Sequence, residues 1–148
     1  AFDQLLHKNP SINCNLVLVG SDGWKNKRLL ERISAHPFIR QLGYVPDEDL
    51  PSLYAKTLSL VFPSRYEGFG MPVLEAGLCG AVTIATDIKE IREAGNDDTI
   101  YVEPTTPSIA VAMQDVWNTR PTIVSPNFLS WQESGKRIVD AISNLIRK

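Results

Sequence analysis

The sequence predicts an α/β fold, a Rossmann-like parallel sheet flanked by helices. Apolar runs of strand length alternate with segments of helical period, the pattern of repeated βα units. Most of the runs are continuously apolar, as in strands buried on both faces. In chain order, Ala1 to His7 reads as an amphipathic helix with Phe2, Leu5 and Leu6 on one face, ended by Asn9-Pro10. Strands are expected at Leu16 to Val19, Ile39 to Leu42, Leu58 to Phe62, Val82 to Ala85 and Ile100 to Val102. Helices fill the intervals, with start signals at Asp47 before Glu48 to Lys56, Asp87 with Glu90, Thr106 before Pro107, and Ser130 with Glu133. Ile109, Met113, Val116 and Trp117 form one helical stripe, and Trp131, Ile138, Ile142 and Leu145 another, both most simply core contacts. Thr119 to Pro126, with two prolines and no helical period, reads as a loop between them.

A chain of 148 residues fits one domain, large enough to bury about 68–70% of its unfolded surface. A net charge of −2 argues against a nucleic-acid surface, which needs concentrated Lys and Arg. No apolar stretch approaches the ~20 residues of a membrane span, and the N-terminus lacks the pattern of a signal peptide. Cys14 and Cys79 have no Cys or His partner at metal spacing, so two reduced thiols are expected.

Chemistry concentrates at Glu67-Gly-Phe-Gly-Met-Pro-Val-Leu-Glu75, directly after an apolar strand. Gly68 and Gly70 permit positive φ and close approach of a ligand, and Pro72 suits the start of a helix. Free N–H groups at that helix start suit an anion such as a phosphate. Carboxylates are poor phosphate ligands, so Glu67 and Glu75 are expected to accept hydrogen bonds from flanking sugar hydroxyls. A first-turn acid serving the helix dipole is the plain alternative for Glu75, and a solvated loop acid that for Glu67. Gly20-Ser-Asp-Gly23 is as easily a turn as a phosphate loop. Thr86 either faces the crevice or begins a turn. Arg65 is expected in a weak surface ion pair, Lys25, Lys27 and Arg28 on a solvated face, and His7 and His36 at helix ends.

The run from Leu60 to Thr86 resembles the donor-site signature of the retaining GT-B glycosyltransferases, with Glu67 and Glu75 meeting the Glu-x7-Glu spacing after Pro63-Ser64. Leu42 to Val45, Asp47 to Ala55, Asp87 to Glu93, Tyr101 to Pro104 and the region around Trp131 extend the resemblance over nearly the whole chain. It implies that residues 1–148 form the nucleotide-sugar-binding domain, the C-terminal half of a GT-B enzyme. An N-terminal acceptor domain and an upstream Arg/Lys segment that neutralises the leaving diphosphate are then expected outside this chain, leaving the fragment inactive by itself. The absence of a preceding strand points the same way, since a doubly wound sheet normally begins with one.

By the same resemblance, Glu75 would bind ribose hydroxyls and Glu67 those of the transferred sugar. Backbone around Gly68, Phe69, Gly70, Met71 and Leu74 would meet the sugar and diphosphate, and Gly43, Tyr44 and Val45 would lie beside the base. The implied reaction moves a sugar from a nucleoside diphosphate to a glycan or lipid-linked acceptor hydroxyl with retention, in polysaccharide, glycolipid or glycan synthesis. No cofactor or metal is implied; the nucleotide sugar is a substrate. GDP-mannose is the donor suggested, with UDP-glucose and UDP-N-acetylglucosamine left open. A cytoplasmic setting is implied, with room for peripheral membrane association through the full-length protein. A GT-B-fold nucleotide-sugar epimerase and a non-catalytic sugar-nucleotide-binding module are the alternatives.

Overall fold

The computed structural model describes residues 1–21, 23, 26–123, 132, 135, 136, 139 and 140. The Trp131 stripe, the Ser130–Glu133 capping box, Lys25 and the later part of the 119–126 connection lie outside them. Helices and strands alternate as α1 (Phe2–Lys8), β1 (Leu16–Val19), α2 (Lys27–Ala35), β2 (Ile39–Gly43), α3 (Leu50–Lys56) and β3 (Leu60–Phe62). They continue as α4 (Met71–Leu78), β4 (Thr83–Thr86), α5 (Lys89–Ala94), β5 (Ile100–Val102) and α6 (Thr106–Thr119). Every strand pairing is parallel: β1 with β2 in one sheet, and β3-β4-β5 in order in another. Each expected strand is present, within two residues of its expected bounds.

The β3-β4-β5 sheet is the middle layer of a three-layer sandwich, and the core splits between its two faces. On one face Val82, Ile84 and Val102 pack with Ala112 and Val116 of α6, supported by Ile109 and Met113. On the other, Ala85 packs with Val73 of α4 and Ile91 of α5. Ile84 and Ala85 are adjacent in sequence and so point to opposite faces, which is why β4 is buried throughout without alternation. Its polar Thr83 is tolerated because the hydroxyl bonds to Thr99, 3.0 Å away, which in turn bonds to Asn96. α1 packs against α6, and its Phe2 and Leu5 join Ile12 in a third cluster reaching Met113 and Trp117. The Ile109–Trp117 stripe therefore serves two clusters at once.

The expectation of strands buried on both faces fails for β1 and β2. β1 alternates half-buried and exposed residues, with Val17 and Val19 nearly half exposed. α2 packs against β2 but buries no residue of its own, and Leu42 is also nearly half exposed, so the cover over this pair is partial among the described residues. The helix starts also shift. α3 begins at Leu50 with Asp49, not Asp47, as its N-cap, because Pro51 fits only the first turn. At α6 the cap is Thr105, whose hydroxyl accepts from the Ser108 N–H. Asp87 does not cap α5; its carboxylate pairs with Arg92, which also stacks on the Tyr101 ring. That guanidinium holds the exposed Asp87 carboxyl below the usual carboxylate range.

Candidate donor-binding site

The chemistry-bearing residues lie just past the C-terminal ends of strands, where open α/β sheets bind ligands. β3 ends at Phe62 and runs into the loop 63–70, which delivers the chain to α4. Within that loop the Ser64 hydroxyl donates to the Tyr66 carbonyl, 3.1 Å away. Gly70 then caps α4 in the left-handed region, at φ 93°. Its carbonyl accepts from the Val73 N–H at 2.9 Å. Pro72, at the second helical position, has no N–H to offer. The N–H groups of Phe69, Gly70 and Met71 make no hydrogen bond among the described residues, a cluster of donors of the kind that receives anions at a helix start.

The two glycines of this turn differ. Gly70 is buried, and a Cβ there would lie 3.4 Å from Ile91 Cγ1 and 3.5 Å from Ala94 Cβ. Gly68 does not have positive φ, and a Cβ there meets nothing within 4 Å. Gly70 is thus required by the fold, whereas Gly68 has no structural need to be glycine. Gly70→Ala is expected to destabilise the protein by about 1–2 kcal/mol through left-handed backbone strain, and Gly68→Ala by no more than about 0.5 kcal/mol. Chemical denaturation of the two variants checks this, and an equal cost at both positions would contradict it.

Glu67 is half-buried and makes no hydrogen bond among the described residues. Glu75 is also half-buried, at the fifth residue of α4 rather than in its first turn, which holds no acidic residue. This removes the helix-dipole explanation for Glu75, because that effect falls off within the first turn. Its partner is Tyr54 of α3, whose hydroxyl donates to Glu75 Oε2 at 3.2 Å. Burial, and then the adjoining carboxylate, push the Tyr54 phenol up to about 12, so it remains a proton donor throughout the neutral range. Gly43 ends β2 with φ 69°, and its carbonyl accepts from the Gly20 N–H at 2.8 Å. Tyr44 beside it is exposed and Val45 half-buried. Among the described residues no group of three or more His, Cys, Asp or Glu side chains converges, and no helix is long and apolar enough to cross a membrane.

Residues 1–119 match the model of the family described as glycosyl transferases group 1. The chain belongs to the group 1 glycosyl transferases. It is 41% identical over 104 residues to the O-antigen chain mannosyltransferase B of Escherichia coli, a match covering 68% of this chain and 27% of that protein. It is 33% identical over 138 residues to the serotype-specific mannosyltransferase WbdA of the same species, covering 86% of this chain and 17% of WbdA. The crystal structure of TarM superposes with a TM-score of 0.61 over 80% of this chain and 24% of that one, at 16% identity. At that identity the likeness concerns the fold alone: the parallel α/β architecture expected from the sequence. This group 1 glycosyl transferase chain spans about a quarter or less of the length of these proteins.

Within it the structure brings Glu67, Gly68, Phe69, Gly70, Met71, Leu74 and Glu75 together on one loop and helix, and sets Gly43 at the end of β2 with Tyr44 and Val45 just past it. Arg65 donates to the Pro104 carbonyl at 3.4 Å, and the surface ion pair expected of it is not seen among the described residues. Thr86 ends β4, fully buried and with its hydroxyl unpartnered among the described residues, and its carbonyl accepts from the Ile88 N–H at 3.0 Å, so it does begin a turn. Lys27 and Arg28 are exposed as expected, and both cysteines are free. Sequence reasoning missed Tyr54. The signal was present in Leu50, Leu53 and Tyr54, spaced i, i+3 and i+4 on one face of α3.

Proposed function

We propose that this chain is the donor-binding unit of a retaining glycosyltransferase that moves mannose from a nucleoside diphosphate sugar, GDP-mannose being the favoured donor, to a glycan acceptor hydroxyl. The observation that carries the reading is the glycine turn at the start of α4, with unpaired backbone donors at Phe69, Gly70 and Met71 and half-buried Glu67 and Glu75 on either side. Mannose is supported by the chain's similarity to the O-antigen and serotype-specific mannosyltransferases. The short share of those proteins that it spans supports placing the acceptor-side groups outside these 148 residues, so turnover requires more of the protein than this chain.

The main electrostatic problem of such a transfer is charge on the departing diphosphate. Fixed N–H donors stabilise it without reorganising as it develops. The transferred sugar meanwhile acquires oxocarbenium character, and a nearby carboxylate that accepts its hydroxyls also stabilises positive charge. Glu67 takes that role. Glu75, eight residues further on in the second turn of α4, holds the ribose. Leu74 and the backbone of Gly68 shape the space between them, and Gly43 to Val45 flank the base.

The proposal is tested by following the full-length protein with GDP-mannose and an O-antigen-type acceptor by proton NMR. The product is expected to keep the α configuration of the donor. An inverted product would contradict a retaining transferase, and exchange of a sugar ring hydrogen with solvent would favour epimerase chemistry instead.

A further inference from the structure

Glu75 has an arrangement that a merely solvated or dipole-serving acid does not need. It lies beyond the first turn of α4, half-buried, and its partner comes from another helix. Tyr54 reaches it from the fifth position of α3, across the α3–α4 packing. As a stabilising contact the pair is weak, since a hydrogen bond between side chains contributes about 0.5–1.5 kcal/mol net and well-packed apolar side chains would do as well. What the bond does supply is orientation. A glutamate has three side-chain torsions, and ordering such a side chain costs up to about 1.5–2 kcal/mol of rotamer freedom. A tyrosine ring is rigid by comparison, and this one is half-buried, with Glu75 and Cys79 beside its hydroxyl. Its hydroxyl occupies one acceptor site on Oε2, and a carboxylate offers about four such sites. Oε1 and the remaining lone pair of Oε2 are left for a ligand.

We infer that Tyr54 is a positioning residue: its hydroxyl holds the Glu75 carboxylate in the orientation in which the remaining lone pairs accept two vicinal hydroxyls of the nucleotide ribose. This rests on the ribose-binding role proposed for Glu75. The protonated phenol, with its pKa pushed up by burial and by Glu75, keeps the bond in place across the pH range of enzyme assays.

The test measures affinity of the full-length protein for GDP and for its 2′,3′-dideoxy analogue, using the wild type, Tyr54→Phe, Glu75→Ala and the double variant. Melting temperatures serve as a control for folding. The wild type is expected to favour GDP over the dideoxy form. Tyr54→Phe is expected to lower affinity for GDP about five-fold, the equivalent of one lost hydrogen bond, and to leave the dideoxy affinity unchanged. Glu75→Ala should abolish the preference for ribose, with no further loss in the double variant. A Tyr54→Phe protein that binds both ligands less well by the same factor would show a structural role and overturn the inference. A Tyr54→Phe protein that keeps the full ribose preference while Glu75→Ala abolishes it would overturn the inference and leave the site standing. If Glu75→Ala keeps the preference, the proposed ribose site itself fails, and the inference with it.

Discussion

Replacing Glu67 with Gln is expected to lower kcat of the full-length enzyme by about two orders of magnitude, with a much smaller change in the donor KM. The estimate corresponds to about 2.7 kcal/mol, within the range for hydrogen bonds to a charged group and for loss of a preorganised electrostatic partner of the transition state. Gln keeps the length and shape of the side chain but gives up the negative charge, so it weakens most what is positively charged, the sugar in the transition state. Glu67 makes no hydrogen bond among the described residues, so the melting temperature should not move. Steady-state kinetics at saturating donor, beside a thermal melt, checks both halves. A rise in KM with kcat unchanged would mean that Glu67 binds substrate and transition state equally, and would reassign its role to ground-state binding.

The second large effect is on stability. Ile91 is completely buried, packs with Val73 and Ala85, and approaches the place where any side chain at Gly70 would go. Ile91→Ala is expected to cost about 3–4 kcal/mol, the usual loss for a buried aliphatic truncation with its residual cavity. For a chain of this length that lowers the melting temperature by about 10 °C. Ile91→Val should cost only about 1 kcal/mol. Because α5 braces the Gly70 turn, Ile91→Ala is also expected to weaken nucleotide binding, whereas an equally destabilising truncation at Ile84, on the opposite face of β4, is not. Denaturation and binding measured on both variants separate packing from positioning, and equal losses of binding would contradict a brace specific to α5.

Much of this organisation could be read in the residues themselves. Alternating apolar runs located the five strands seen among the described residues because each is short, bounded by turn residues and unlike the helical stripes between them. The strand–turn–helix setting of Glu67 to Glu75 was legible because glycines, which alone take positive φ without strain, and a proline suited to a first helical turn mark the passage from a strand into a helix. What sequence could not resolve depended on tertiary contacts. The apolar content of Leu16 to Val19 does not reveal which faces are covered, and β1 alternates in exposure. Asp87 has the right spacing for a cap, but Arg92 competes for its carboxylate from the other end of the same helix. Gly68 and Gly70 look alike in sequence and differ in φ and packing. Tyr54 carries no motif; only the packing of α3 on α4 turns it into the partner of Glu75.

The central claim is that the turn from Glu67 to Glu75 binds a nucleoside diphosphate sugar, and nucleotide titration observed at backbone amides tests it most directly. With GDP, UDP, ADP and their sugar conjugates added in turn, the expected result is perturbation of the amides of Gly43 to Val45 and of Phe69 to Met71. It should be strongest for GDP and its mannose conjugate and diminished in Glu75→Ala. Perturbations centred elsewhere, or binding that Glu75→Ala leaves unchanged, would contradict the claim.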